Sequence, residues 1–156
     1  MHIQIMNLEA LETDRQNFRT SVNEEDKVIM EEVDYVGDMY NEEDRRDAIE
    51  SEWFERFFDG IAEVNMEKET VRFYERDVIE GTIRDYLREL TSEMAEAAEI
   101  GDLLVWDVIS AGKYYKGDLT LLCMEGVVYT SLGFIHEAPY LAGKTMRIGN
   151  IFDAHC

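Results

Sequence analysis

The stretch LTLLCMEGVVYTSL, residues 119–132, decides the fold class. Leu119–Met124 and Val127–Leu132 are two apolar runs separated only by Glu125 and Gly126. That is the spacing of a tight hairpin in which glycine supplies a positive φ. An antiparallel pair is therefore expected in the C-terminal third. Around it, Leu103–Ile109 is a further strand candidate, Ala111–Lys113 reads as a turn, and Thr145–Ile148 as a short edge strand. Pro139, Gly143 and Gly149 break up the tail. Upstream, Thr70–Tyr74 alternates with Val71 and Phe73 on one side, as a strand does.

Helical spacing dominates the rest of the chain. Asn7 stands ahead of Leu8, Leu11, Phe18 and Val22 and predicts a first helix over 8–19. Asn23, followed by Glu24, Glu25 and Asp26, places a cap and three carboxylates at the positive end of a second helix. Ile29, Val33, Val36 and Tyr40 mark its face, and Gly37 its end. Asn41 with Glu42, Glu43 and Asp44 begins a third helix in the same way. It carries Ile49, Trp53, Phe57 and Ile61, flanked by Phe54 and Phe58, as far as Gly60. Asp77 and Glu80 resemble a capping box ahead of Ile79, Ile83, Leu87, Leu90 and Met94, a helix over 78–99 stopped at Gly101. The sum is an α+β fold, with acidic N-terminal helices packed on a small, mainly antiparallel sheet formed largely by the C-terminal third.

A chain of 156 residues without repeats or linkers predicts one domain over 1–156. It holds 35 Asp and Glu against 15 Lys and Arg, a formal charge of −20. Hydrophobic residues still make up 46%, enough for a packed core. The charge is concentrated: residues 20–59 alone hold fifteen acids and four bases. Region 20–60 therefore reads as strongly acidic and helical, and 101–156 as sheet-rich and nearly neutral. A surplus of anions argues against direct binding to nucleic acid or anionic lipid, both polyanions. No apolar run approaches the roughly 18–20 residues that cross a bilayer, and Met1–Ala10 lacks the pattern of a signal peptide. Cys123 and Cys156 match neither a disulfide framework nor a metal-ligand spacing, so a cytoplasmic, reducing location is expected.

The common catalytic signatures for acyl, zinc-peptidase and nucleotide chemistry are absent. His2 and His155 are terminal, leaving His136 beside Glu137 as the internal histidine; Cys123, in an apolar run, reads as a packing residue. The run Asp34, Asp38, Asn41, Asp44 has its glycine, Gly37, fourth, where a calcium-binding EF-hand needs it sixth. No catalytic residues, metal site or cofactor are expected, beyond weak nonspecific attraction of divalent cations.

What remains are the acids. On a helical wheel Asp44, Glu52, Glu55 and Asp59 oppose the apolar face of the third helix, while Glu24, Glu31 and Asp34 point outward from the second. These two ridges are expected side by side. Asp47 and Glu50 border Trp53, Phe54 and Phe57, which would suit a patch with aromatic anchors inside a polar rim; the alternative is that the rings are core, the reading adopted for Phe57. Carboxylates one helical turn apart present charge at a density comparable to a phosphate backbone. The expected function is that of a non-catalytic inhibitor, occupying the nucleic-acid-binding surface of a basic protein or nuclease by mimicry. Antirestriction, anti-CRISPR and nuclease-immunity proteins work on this principle; the resemblance is of charge and size, not of motif. The alternatives are a small α+β enzyme using Asp107, His136 and Glu137, and an acidic adaptor module that self-associates.

Overall fold

Pairing between the two ends of the chain organises the molecule. A computed structural model describes residues 2–100, 113–117 and 120–156. The strand expected over Leu103–Ile109, most of the Ala111–Lys113 turn, the Gly101 helix stop, Leu119 and Asp107 lie outside the described residues. Seven strands form one mostly antiparallel sheet: β1 (His2–Ala10), β2 (Tyr35–Met39), β3 (Ala62–Asn65), β4 (Thr70–Phe73), β5 (Leu121–Met124), β6 (Val127–Tyr129) and β7 (Thr145–His155). Five helices accompany them among the described residues: α1 (Lys27–Glu32), α2 (Glu42–Ile49), α3 (Glu52–Phe58), α4 (Arg76–Ile100) and α5 (Ser131–Glu137). The strand order is β3-β4-β7-β1-β5-β6, with β2 also pairing to β7. The fold is α+β, as expected, with the three C-terminal strands in the sheet. No helix among the described residues is long and apolar enough to cross a membrane.

The hairpin forms as expected, Glu125 and Gly126 both taking positive φ (51° and 84°) between β5 and β6. Its second strand is shorter than the run to Leu132, because Thr130 caps α5 by accepting a hydrogen bond from Gly133 N at 3.0 Å. The Thr70–Tyr74 strand is present as β4, with Val71 and Phe73 buried. The long helix is present as α4, although it begins at Arg76, so Asp77 lies inside its first turn rather than at the cap.

Four expectations are corrected. The helix over 8–19 is instead the end of strand β1 and a single 3-10 turn at Arg15–Asn17. Ile3 and Ile5 alternate on one face, and Asn7 is a buried sheet residue rather than a cap. The second helix is short and is capped by Asp26, not Asn23: Asp26 Oδ1 accepts from Val28 N at 2.9 Å. Val33 is already extended, and Gly37 lies within β2 rather than at a helix end. The third helix starts at Asn41, whose side chain accepts from Glu43 N and Asp44 N, but breaks into α2 and α3. Ser51 there is extended and its hydroxyl donates to Ala48 O at 2.7 Å, a local bond that competes with continued helix. Finally, Thr145–Ile148 is no edge element. It begins the eleven-residue β7, which bonds to β1 along one side and to β4 and β2 along the other.

Two apolar layers follow from this sheet. On one face Met6, Leu8, Leu122, Ile148 and Ile151 pack against α2, α3, α4 and α5, with Phe54, Phe57, Phe58, Phe73 and Phe134 in mutual ring contact. On the other, Ile3, Ile5, Leu121, Cys123, Phe152 and Ala154 meet Ile29 of α1 and Val33 just beyond it. Gly60 makes the turn from α3 into β3 with φ of 76°, and a Cβ there would stand 2.6 Å from Thr82 Oγ1. That hydroxyl donates to Gly60 O at 2.7 Å. Gly60→Ala combines a left-handed backbone costing about 1–2 kcal/mol with this clash. An unfolding free energy lowered by at least that amount in urea titration, at unchanged slope, is the expected result.

Candidate functional site

The nine acids singled out from the sequence, Glu24, Glu31, Asp34, Asp44, Asp47, Glu50, Glu52, Glu55 and Asp59, are all solvent-exposed. They do not form two adjacent ridges. Alternation along β1, β5 and β7 sends α1 to one face of the sheet and α2–α3 to the other. Glu24, Glu31 and Asp34 belong to the α1 side, where Glu31 also pairs with Lys27 at 3.7 Å. The remaining six lie along α2, the break at Ser51, and α3.

Those six surround two grooves that meet at Ser51. Glu50, Glu52, Glu55 and Asp59, joined by Glu63 of β3, line a groove of about 860 Å³ whose apolar walls include Ile49, Val64 and Tyr74. Asp44 and Asp47, joined by Asp38 and Asp153, line a second groove of about 760 Å³ beside Gln4 and Tyr40. Among the described residues no lysine or arginine forms an ion pair with Asp44, Asp47, Glu50, Glu52, Glu55 or Asp59. Arg56 is the basic residue lining the larger groove. Burial first, then the carboxylates of Asp153 and Asp44, push the Tyr40 phenol above its usual range.

The helices bearing these acids are held tightly. Arg45, on the inner side of α2, is buried and reaches the centre of the sheet. There β7 carries an extra residue: Met6 faces Ile151 and Leu8 faces Ile148, so Gly149 and Asn150 stand opposite Asn7 alone. The bulge exposes two main-chain carbonyls to the helix layer, and Arg45 donates to both, Nε to Gly149 O at 2.8 Å and Nη2 to Ile148 O at 2.6 Å. Nη2 also meets Glu69 Oε2 at 2.8 Å, and this bond holds the Glu69 carboxyl below the usual range. Asn7 Nδ2 secures the bulge from the other strand by donating to Asn150 O at 3.0 Å. A glycine is needed at 149, since a Cβ there would lie 2.8 Å from Glu9 Cγ and 3.2 Å from Asn7 O.

The same packing places Phe57 in the core, as expected, and corrects the exposed aromatic patch for Phe54. Phe54 and Phe57 are buried core, and Trp53 is half-buried against Phe57 at 5.8 Å between ring centroids. The acids border a closed aromatic layer, not exposed anchors. Of the alternative trio, His136 and Glu137 are 4.0 Å apart on α5 and line neither groove, and Asp107 is outside the described residues. Cys123 is buried, and burial pushes its thiol up. In native protein a disulfide reagent should therefore modify exposed Cys156 promptly, with the second thiol released only on unfolding. Two fast thiols would contradict the packing of β5.

One constellation escaped the sequence reading altogether. Antiparallel pairing of β1 with β7 sets His2 opposite His155, and Asp153 reaches both rings. His2 Nδ1 lies 3.1 Å from Asp153 Oδ1, and His155 Nε2 lies 3.1 Å from Asp153 Oδ2. The only sequence signal was a His at either end together with the period-two spacing of Asp153 and His155. It becomes meaningful once the two ends are known to pair. No protein-family model, curated protein or solved structure matches this chain.

Proposed function

We propose that this protein is a non-catalytic inhibitor whose α2–α3 surface occupies the nucleic-acid-binding site of a basic protein, its carboxylates standing in for phosphates. The observation that carries the reading is the set of six exposed carboxylates, from Asp44 to Asp59, that form no ion pair with Lys or Arg among the described residues and are arranged about two adjoining grooves on one face of the sheet. A fold under no such demand would intersperse Lys and Arg, because like charges one helical turn apart destabilise a helix by a few tenths of a kcal/mol each. Here the repulsion is retained, and Arg45 with the phenylalanine layer keeps the charged segments in place. Preorganised charge of one sign steers a complementary partner and raises its rate of association.

The test is capture from a cytosolic extract on immobilised protein, elution in a salt gradient, and competition of the captured partner with duplex DNA and with RNA. The expected partner is a nucleic-acid-processing protein that elutes late and is displaced by one of the two polymers. If the partner's nucleic-acid binding is unchanged at saturating amounts of this protein, mimicry is excluded.

A further inference from the structure

The strand register places three potential metal ligands on one face of the sheet, at the border of the second groove, which Asp153 also lines. His2 and His155 are cross-strand neighbours, and Asp153 is two residues before His155, so all three project to the same side. Their potential ligand atoms lie within 4.8 Å of one another. A zinc-class ion binds imidazole nitrogen and carboxylate oxygen at about 2.0–2.2 Å, which sets tetrahedral ligand atoms roughly 3.3–3.5 Å apart. The two separations of 3.1 Å to Asp153 are close to that edge length. The histidine nitrogens approach further by rotation of His2, whose side chain is 73% exposed.

The surroundings support the trio as a built arrangement. Tyr35 of β2 stacks on the His155 ring at 4.6 Å and 11°, fixing the direction in which Nε2 points. β2 is itself irregular here: Val36 faces Ala154 and Met39 faces Phe152, so Gly37 and Asp38 together stand opposite Asp153. Supporting groups of this kind hold first ligands in binding orientation.

We propose that His2, Asp153 and His155 form a three-ligand site for a divalent transition-metal ion of the zinc class, with its remaining coordination position open to solvent. Two imidazoles and one carboxylate select zinc, cobalt, nickel or copper over magnesium and calcium, which prefer oxygen alone. This separates the site from diffuse cation attraction by the acidic grooves. An ion held there ties the first strand to the last, and to β2 through Tyr35.

The experiment uses the full chain carrying Cys156→Ser, so that the thiol cannot serve as a ligand. Zinc is titrated calorimetrically in excess magnesium, and cobalt is added as a spectroscopic probe. One ion per chain is expected, with visible cobalt bands of four- or five-coordinate intensity and a Tm that rises with zinc concentration. His2→Ala and His155→Ala should each weaken binding by at least about 100-fold, the upper end of what losing a mere supporting group costs. His136→Ala should leave it unchanged. His2 is exposed, so its replacement keeps the test sound should His155→Ala disturb the sheet. Absence of saturable binding in magnesium, or a loss under about tenfold in His2→Ala, would mean a hydrogen-bonded trio only and overturn the proposal.

Discussion

Arg45→Met is expected to cost the fold about 3–5 kcal/mol, the range for removing one member of a buried ion pair. The side chain is only 2% exposed and serves three acceptors: Gly149 O, Ile148 O and Glu69. Methionine fills the same space but donates nothing, so two carbonyls at the sheet bulge are left without their donor, at about 1–3 kcal/mol for each buried acceptor. For a chain of this size the loss lowers Tm by roughly 6–20 °C. Thermal or urea unfolding reads it directly. The pH dependence separates the two parts of the clamp. Glu69 has its carboxyl lowered by Arg45, so its share of stability is fully present above the ordinary value of 4.5 and is lost as pH falls through the depressed folded value. Glu69→Gln should therefore be less stable than the parent at neutral pH and converge with it in acid. The Arg45→Met deficit should persist there, because main-chain carbonyls do not titrate. A loss under about 1 kcal/mol would show that the bulge carbonyls find other donors and that α2 is anchored by its apolar face alone.

The second large effect concerns recognition. Converting Asp44, Asp47, Glu50, Glu52, Glu55 and Asp59 to their amides should slow association with the captured partner by about 10- to 1000-fold at low ionic strength, the span attributable to electrostatic steering. The parent rate should fall steeply with salt and the variant rate should not, since exposed charges are screened over about 8–10 Å under physiological conditions. The control neutralises Glu24, Glu31 and Asp34, with the effects compared per charge removed. These are equally exposed but attached to the α1 side of the sheet, and their loss should leave the rate nearly unchanged. Amides preserve side-chain shape, and circular dichroism checks that α2 and α3 persist. Equal effects per charge removed in the two sets would mean that net charge alone matters and that the grooves have no part in recognition.

The corrections share one cause. Asn41 as a cap, the Glu125–Gly126 turn, β4 and α4 are legible in the sequence because their signals act between residues a few positions apart. β1, β2 and β7 are misjudged because a strand's stability comes from its neighbours, and theirs lie at the far end of the chain. Arg45 goes unremarked in the sequence, since nothing in its local spacing announces a bulge waiting for a donor. Phe54 is a similar case: an aromatic beside carboxylates reads as a possible anchor until Phe58 packs against it.

Composition and local spacing were enough to establish an acidic α+β protein with its charge crowded between residues 20 and 59. Three-dimensional packing decided the rest: that the acids divide between opposite faces of a sheet, that six of them frame two grooves, and that two terminal histidines share one carboxylate. The division follows from physics. Charge, caps and tight turns are properties of neighbouring residues, whereas the side of a sheet to which a residue belongs is set by strand register, and register exists only between segments distant in the chain.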